Sequence, residues 1–138
     1  MSTFYTLHIK TPLTIAELEQ VIGAEDISNE TLNVGAYIPS NRSMDIFASA
    51  FPFSANLRIS YYLVPGNHDQ GIRTMITTVD KLLTYDQSDL VLLYNGDITT
   101  LQRIESTLIL SDRGFWRPEY RALLTQPYTV ETLPLPFD

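Results

Sequence analysis

The stretch that most constrains this chain runs from Asp89 to Ile104: Asp-Leu-Val-Leu-Leu-Tyr-Asn-Gly-Asp-Ile-Thr-Thr-Leu-Gln-Arg-Ile. Leu90 to Tyr94 is nearly all apolar, which suits a strand buried on both faces. Asn95 and Gly96 both tolerate φ > 0, as a two-residue hairpin turn requires. Ile98 to Ile104 therefore returns antiparallel to it, and Thr107 to Leu110 forms a third strand. This meander makes the C-terminal half an antiparallel sheet.

Other signals assemble around that sheet. Phe4 to Ile9 alternates, with Tyr5, Leu7 and Ile9 on one side and Thr6 and His8 on the other, and predicts a half-buried strand. Thr14-Ile-Ala-Glu17 has capping-box spacing and opens a helix that Gly23 ends. Residues 24–31 read as a polar, acidic loop. Asn33 to Ile38 reads as a strand and Ser43 to Phe47 as a weaker one; Phe51-Pro-Phe53 is an aromatic corner. Leu57 to Val64 is rich in branched and aromatic residues and predicts a strand. Ile72, Met75, Ile76, Val79, Leu82 and Leu83 recur at helical spacing. Trp116-Arg-Pro-Glu119 opens a short helix through Leu124, with Trp116 expected in the core. The tail from Thr132 is extended. The expected fold is α+β, a single domain over residues 1–138: a mostly antiparallel sheet of about six strands, with two to three helices packed on one of its faces.

Catalytic machinery is hard to find. The chain has no cysteine and two histidines, which excludes disulfides, thiolate metal sites and a cysteine nucleophile. Gly66-Asn-His-Asp69 resembles one box of the calcineurin-like metallophosphoesterases, whose two-metal centre activates water. The Asp-x-His box and further histidines that such a centre needs are missing, so the segment reads as a polar strand-to-helix turn. There is no Gly-x-Ser-x-Gly elbow and no phosphate loop. The carboxylate pairs Glu17/Glu19 and Glu25/Asp26 lie in polar surroundings, where nothing suggests a raised pKa. Neither catalysis nor a cofactor is expected.

Charge points to a partner. The formal net charge is −7, which repels nucleic acid and anionic membranes. Arg103, Arg113, Arg117 and Arg121 are interleaved with Glu105, Asp112 and Glu119, which makes a mixed surface and not a nucleic-acid footprint. Glu17, Glu19, Glu25, Asp26 and Glu30, by contrast, occur with no Lys or Arg among them. This run is the leading candidate for contact with a basic protein, with Asp86 and Asp89 the second choice. A solvated helix face and loop is the alternative reading. No basic region precedes an apolar run at the N-terminus, and no apolar stretch approaches the roughly 20 residues that span a bilayer, so a cytoplasmic protein is expected.

One resemblance sharpens this. Asp89-Leu-Val-Leu-Leu-Tyr-Asn-Gly-Asp97, then Leu101-Gln-Arg103, Leu108-Ile-Leu110, Phe115-Trp116, Pro127-Tyr128 and Leu133-Pro134 resemble the Sit-type immunity proteins of bacterial polymorphic toxin and contact-dependent growth inhibition systems. Phe51-Pro-Phe53 and the strand and helix after it are also similar, so the likeness covers about Phe51 to Pro134. Asp97 stands where the family has Glu, and the first 50 residues lie outside the likeness. The resemblance implies a cytoplasmic protein that binds and blocks one cognate toxin C-terminal domain, without catalysis or cofactor. Such toxins are often nucleases, hence basic, and an acidic inhibitor would associate with them quickly. An adaptor or regulatory subunit, or a small-molecule-binding domain, are the alternatives.

Overall fold

A computed structural model describes residues 3–137. Its elements are β1 (Phe4–Ile9), α1 (Ile15–Ile22), a 3-10 turn (Ala24–Asp26), β2 (Leu32–Tyr37), α2 (Asn41–Ala50), β3 (Leu57–Leu63), α3 (His68–Tyr85), β4 (Leu90–Tyr94), β5 (Ile98–Ile104), β6 (Thr107–Ser111), α4 (Pro118–Arg121) and β7 (Thr129–Glu131). The strands form one seven-stranded sheet in the order β2-β3-β1-β4-β5-β6-β7. Every pairing is antiparallel except β6 with β7. The fold is α+β, as expected.

The meander forms as read. Asn95 and Gly96 take φ of 50° and 78°, the left-handed pair that a primed turn demands. The next turn is less expected: Glu105 and Ser106 are also left-handed, at 51° and 68°, without a glycine. Asp89 holds this turn, its Oδ1 accepting from the Glu105 amide at 2.9 Å. β5 carries a bulge at the Leu92/Leu93 register shift. The carbonyl of Thr100, inside that bulge, accepts the Trp116 indole N–H at 2.8 Å. Trp116 is 8% exposed and belongs to the main core.

That core lies between one face of the sheet and α1, α3 and α4. Tyr5, Leu7 and Ile9 of β1, Ile59 and Tyr61 of β3, and Leu90 and Leu92 of β4 meet Leu18 and Ile22 of α1 and Met75, Ile76, Val79 and Leu83 of α3. Tyr61 also bonds Thr78 of α3 at 2.8 Å, so its buried hydroxyl is satisfied. Gly71 sets how closely α3 approaches β2. A Cβ built there would lie 2.6 Å from the Thr31 carbonyl oxygen and 2.9 Å from Leu63 Cδ2.

Two expectations need correction. Ser43 to Phe47 is not a strand but the middle of α2. Ser40 caps that helix, accepting from the Ser43 amide at 3.2 Å. Phe47 and Phe51 then fall four residues apart and their rings stack at 4.6 Å, as neighbours on one helical face do. Nor do all helices share a face of the sheet. α2 lies on the face opposite α1 and α3, where Phe47, Phe51, Phe53 and Ala55 pack on Val91 and Leu93 in a second, smaller core. This is why β1 is buried on both sides and not half-buried.

Candidate functional site

The acidic run is brought partly together. Glu17 is committed to the α1 capping box: its carboxylate accepts from the Thr14 amide at 3.0 Å, and the Thr14 hydroxyl accepts from the Glu17 amide at 3.2 Å. The bonds from Thr14 hold the exposed Glu17 carboxyl below the usual carboxylate range. Gly23, at φ 69°, ends α1 and turns the chain into the 3-10 turn. Glu19 from the helix then faces Glu25 and Asp26 from the turn across a shallow concavity of about 480 Å³. All three are exposed. Glu30 sits farther along, just before β2, where its carbonyl accepts from Asn67 Nδ2 at 2.9 Å. The run lacks cations in sequence, but α3 brings one to its margin: Lys81 Nζ reaches the Ile22 carbonyl, at 3.5 Å, at the C-terminus of α1.

Asp86 and Asp89 do architectural work. Asp86 Oδ1 accepts from the Ser88 amide at 2.9 Å and lies 3.8 Å from the Arg103 guanidinium. Asp89 holds the β5–β6 turn described above. Between them Arg103, 2% exposed, reaches off β5 beneath the end of α3. Its Nη1 donates to the Leu83 carbonyl at 2.8 Å, and its Nε and Nη2 donate to the Ser88 carbonyl at 3.0 and 2.9 Å. Burial lowers the Arg103 pKa, and the charges of Asp86 and Asp89 offset part of that. The return-strand arginine thus ties the last turn of α3 to the loop that enters β4.

Gly66-Asn-His-Asp69 is equally absorbed by structure. It starts α3, with Gly66 at φ 90°. Asp69 accepts from Arg73 Nε and from the Tyr120 hydroxyl, each at 2.8 Å. Arg73 and Arg117 lie over the Tyr120 ring, 5.5 and 5.1 Å from its centroid. This cluster pins α4 to α3. Among the described residues no group of three His, Asp or Glu side chains is placed to hold a metal ion.

The buried return-strand arginine, the Asn-Gly turn and the indole bonded into the β5 bulge are among the residues on which the resemblance to Sit-type proteins rests, here seen in their structural roles. A family model described as SitI3-like matches residues 3–121. The chain belongs to the SitI3-like family. No curated protein and no solved structure matches it. The SitI3-like match runs from β1 through α4, so it takes in the first 50 residues, which lay outside the likeness read from the sequence. It stops before Pro127-Tyr128 and Leu133-Pro134, so those two pairs fall outside the matched region. No helix among the described residues is long and apolar enough to cross a membrane.

The SitI3-like fold also leaves a surface that sequence reasoning missed. α2 and the segment after it cover only the middle of the second face. The flank formed by β2 and β3 stays open and presents Tyr37 and Tyr62, the latter 46% exposed, with Ile46 of α2 beside them. The three border a concavity of about 370 Å³ into which Arg58 and Ser60 of β3 and Thr6 and His8 of β1 also face. His8 stacks on Phe47 with ring centroids 4.6 Å apart, and its Nε2 bonds the Thr6 hydroxyl at 3.0 Å. The available signal was the alternation of β3, which places Arg58, Ser60 and Tyr62 together on one side. It could not be read without knowing that α2 covers only part of that side.

Proposed function

We propose that this chain is an immunity protein that binds a cognate toxin domain and neutralises it by occupying its surface, as a cytoplasmic protein without catalysis or cofactor of its own. Membership of the SitI3-like family over residues 3–121 carries the reading. The site chemistry agrees with it. Asn67, His68 and Asp69, the box that looked most like chemistry, start a helix, and Arg103 clamps the end of the same one. The acidic concavity of Glu19, Glu25 and Asp26, with Glu17 and Glu30 at its margins, suits a basic partner such as a nuclease domain. Asp86 and Asp89 stand second, because their carboxylates already serve Arg103 and the β5–β6 turn.

The test is co-expression with a candidate toxin domain taken from the gene beside this one. Growth should be restored by this chain, and the two proteins should co-purify at equal stoichiometry. Rescue without a complex would point to an enzymatic antidote. Neither rescue nor a complex would leave the adaptor reading in its place.

A further inference from the structure

We propose that the open flank of the second face, centred on Arg58, is a contact surface for a protein loop that presents a single carboxylate between apolar side chains. The proposal rests on the immunity reading in taking that loop to belong to the toxin domain.

Arg58 sits on β3, directly opposite Tyr37 of β2 and His8 of β1. Its guanidinium lies over the Tyr37 ring, 5.7 Å from the centroid, and its Nη1 donates to the Tyr37 hydroxyl at a long 3.4 Å. No carboxylate among the described residues comes within 4.0 Å of it. Its Nε and the Nδ1 of His8, a residue 5% exposed, are shielded from solvent and have no hydrogen-bond partner among the described residues. The half-buried guanidinium thus has only the long bond to Tyr37 and no ion pair among the described residues, where such a group normally faces an anion or a carbonyl. The planar fork of arginine matches a carboxylate in two parallel hydrogen bonds.

The surroundings narrow the occupant. Tyr37, Tyr62 and Ile46 are all exposed, and Phe4 stacks on Tyr62 at 5.7 Å. Tyrosine and arginine beside an apolar rim are the residue types that dominate protein interfaces. The net charge of −7 opposes a polyanion such as nucleic acid or an anionic membrane, but a lone carboxylate on an otherwise basic protein escapes that repulsion. The placement also agrees with the acidic concavity. β2 is the end strand of the sheet, the acidic turn leads into its N-terminus, and Tyr37 is its last residue. A partner that grips this edge reaches Glu25 and Asp26 on one side and Arg58 on the other. Opposite charges on the two sides of one edge would fix its orientation.

Two measurements test this. The first needs no toxin: the free protein is titrated with acetyl-Leu-Glu-Leu-amide and with its Gln counterpart, followed by NMR. The Glu peptide should shift the Arg58 Nε–H and the Tyr37 and Tyr62 ring signals in the millimolar range. The Gln peptide should not, nor should the Glu peptide with Arg58→Gln. Absence of those shifts in the wild type overturns the proposal. The second measures affinity for the same candidate toxin domain. Arg58→Gln should weaken binding about tenfold or more, mainly through faster dissociation, with Arg58→Lys intermediate. Unchanged affinity in Arg58→Gln overturns the groove as a toxin contact and leaves the immunity function standing. A groove that shifts with the Glu peptide, in a protein that does not bind the toxin, supports the carboxylate site and removes the immunity function instead. A second copy of this chain as the occupant would appear as a concentration-dependent dimer that Arg58→Gln abolishes, and would likewise overturn the assignment to the toxin.

Discussion

Alternation along β1 places His8 on the side away from Tyr5, Leu7 and Ile9, and the structure keeps it there. What alternation cannot say is whether that side is wet. Phe47 closes over it, and burial, aided by the positive charge of Arg58, pushes the His8 pKa from 6.5 down to about 3. The imidazole is therefore neutral in the folded protein throughout the range in which it would gain a proton in the unfolded chain. The unfolded state binds more protons here between pH 6.5 and about 3, so this residue withdraws stability as pH falls through that window and has no effect above it. The slope is at most about 1.4 kcal/mol per pH unit. Glu17 and Asp69, whose carboxyls are held low by hydrogen bonds, also lose stability in acid, but below the range where His8 starts to act. Urea midpoints at pH 7.5, 6.5, 5.5 and 4.5 should therefore fall with acid in the wild type and fall less in His8→Gln. Parallel curves for the two proteins would mean that the ring is not neutral and buried as described.

At the scale of elements, the parts that local chemistry dictates were legible. The α1 capping box, the Asn95-Gly96 turn, the buried β4 and the long periodicity of α3 all depend on residues close in sequence, and all formed where expected. α2 was misread because Ser43 to Phe47 also fits a short alternating strand. Its helical identity depends on the Ser40 cap and on the second core that Phe47 and Phe51 build, and that core exists only once β1 and β4 are paired. The β5 bulge was hidden for a similar reason, since it is fixed by the Trp116 indole from beyond β6. Gly71 is a case where element packing reverses a local rule. Replacing a helix-interior glycine with alanine ordinarily adds about 1 kcal/mol of stability. Here the added methyl would meet the Thr31 carbonyl at 2.6 Å, backbone that cannot swing aside, and α3 would have to lift from β2. Gly71→Ala should cost about 1–3 kcal/mol, read as a lower urea midpoint. A stabilised variant would show that α3 and β2 are less closely packed than this geometry requires.

Across the whole molecule, structural and interacting charges separate. Asp69, Asp86 and Asp89 hold helices and turns, and Glu17 caps α1. Glu19, Glu25, Asp26 and Glu30 have side chains without a cation within bonding distance among the described residues. Sequence could list these acids but could not sort them, because the sorting depends on where Arg103, Arg73 and Lys81 arrive in three dimensions. Even Lys81, at the edge of the concavity, bonds a carbonyl and not a carboxylate. The free acids therefore remain as a negative patch on a protein of net charge −7. Such a patch acts on the encounter with a basic domain more than on the finished complex, through a field that screening limits to roughly 8 Å at physiological ionic strength. Glu25→Gln combined with Asp26→Asn should therefore slow association with the toxin domain several-fold at low salt and change dissociation little, and the difference should close as salt is raised. Stopped-flow association at low and high salt, for wild type and the double variant, checks this. The signature contrasts with that expected of Arg58→Gln, which should act mainly on dissociation because it removes a partly desolvated partner. Equal association rates at low salt, with no salt dependence in either protein, would reduce the acidic concavity to a solvated surface and leave the Arg58 flank to account for recognition.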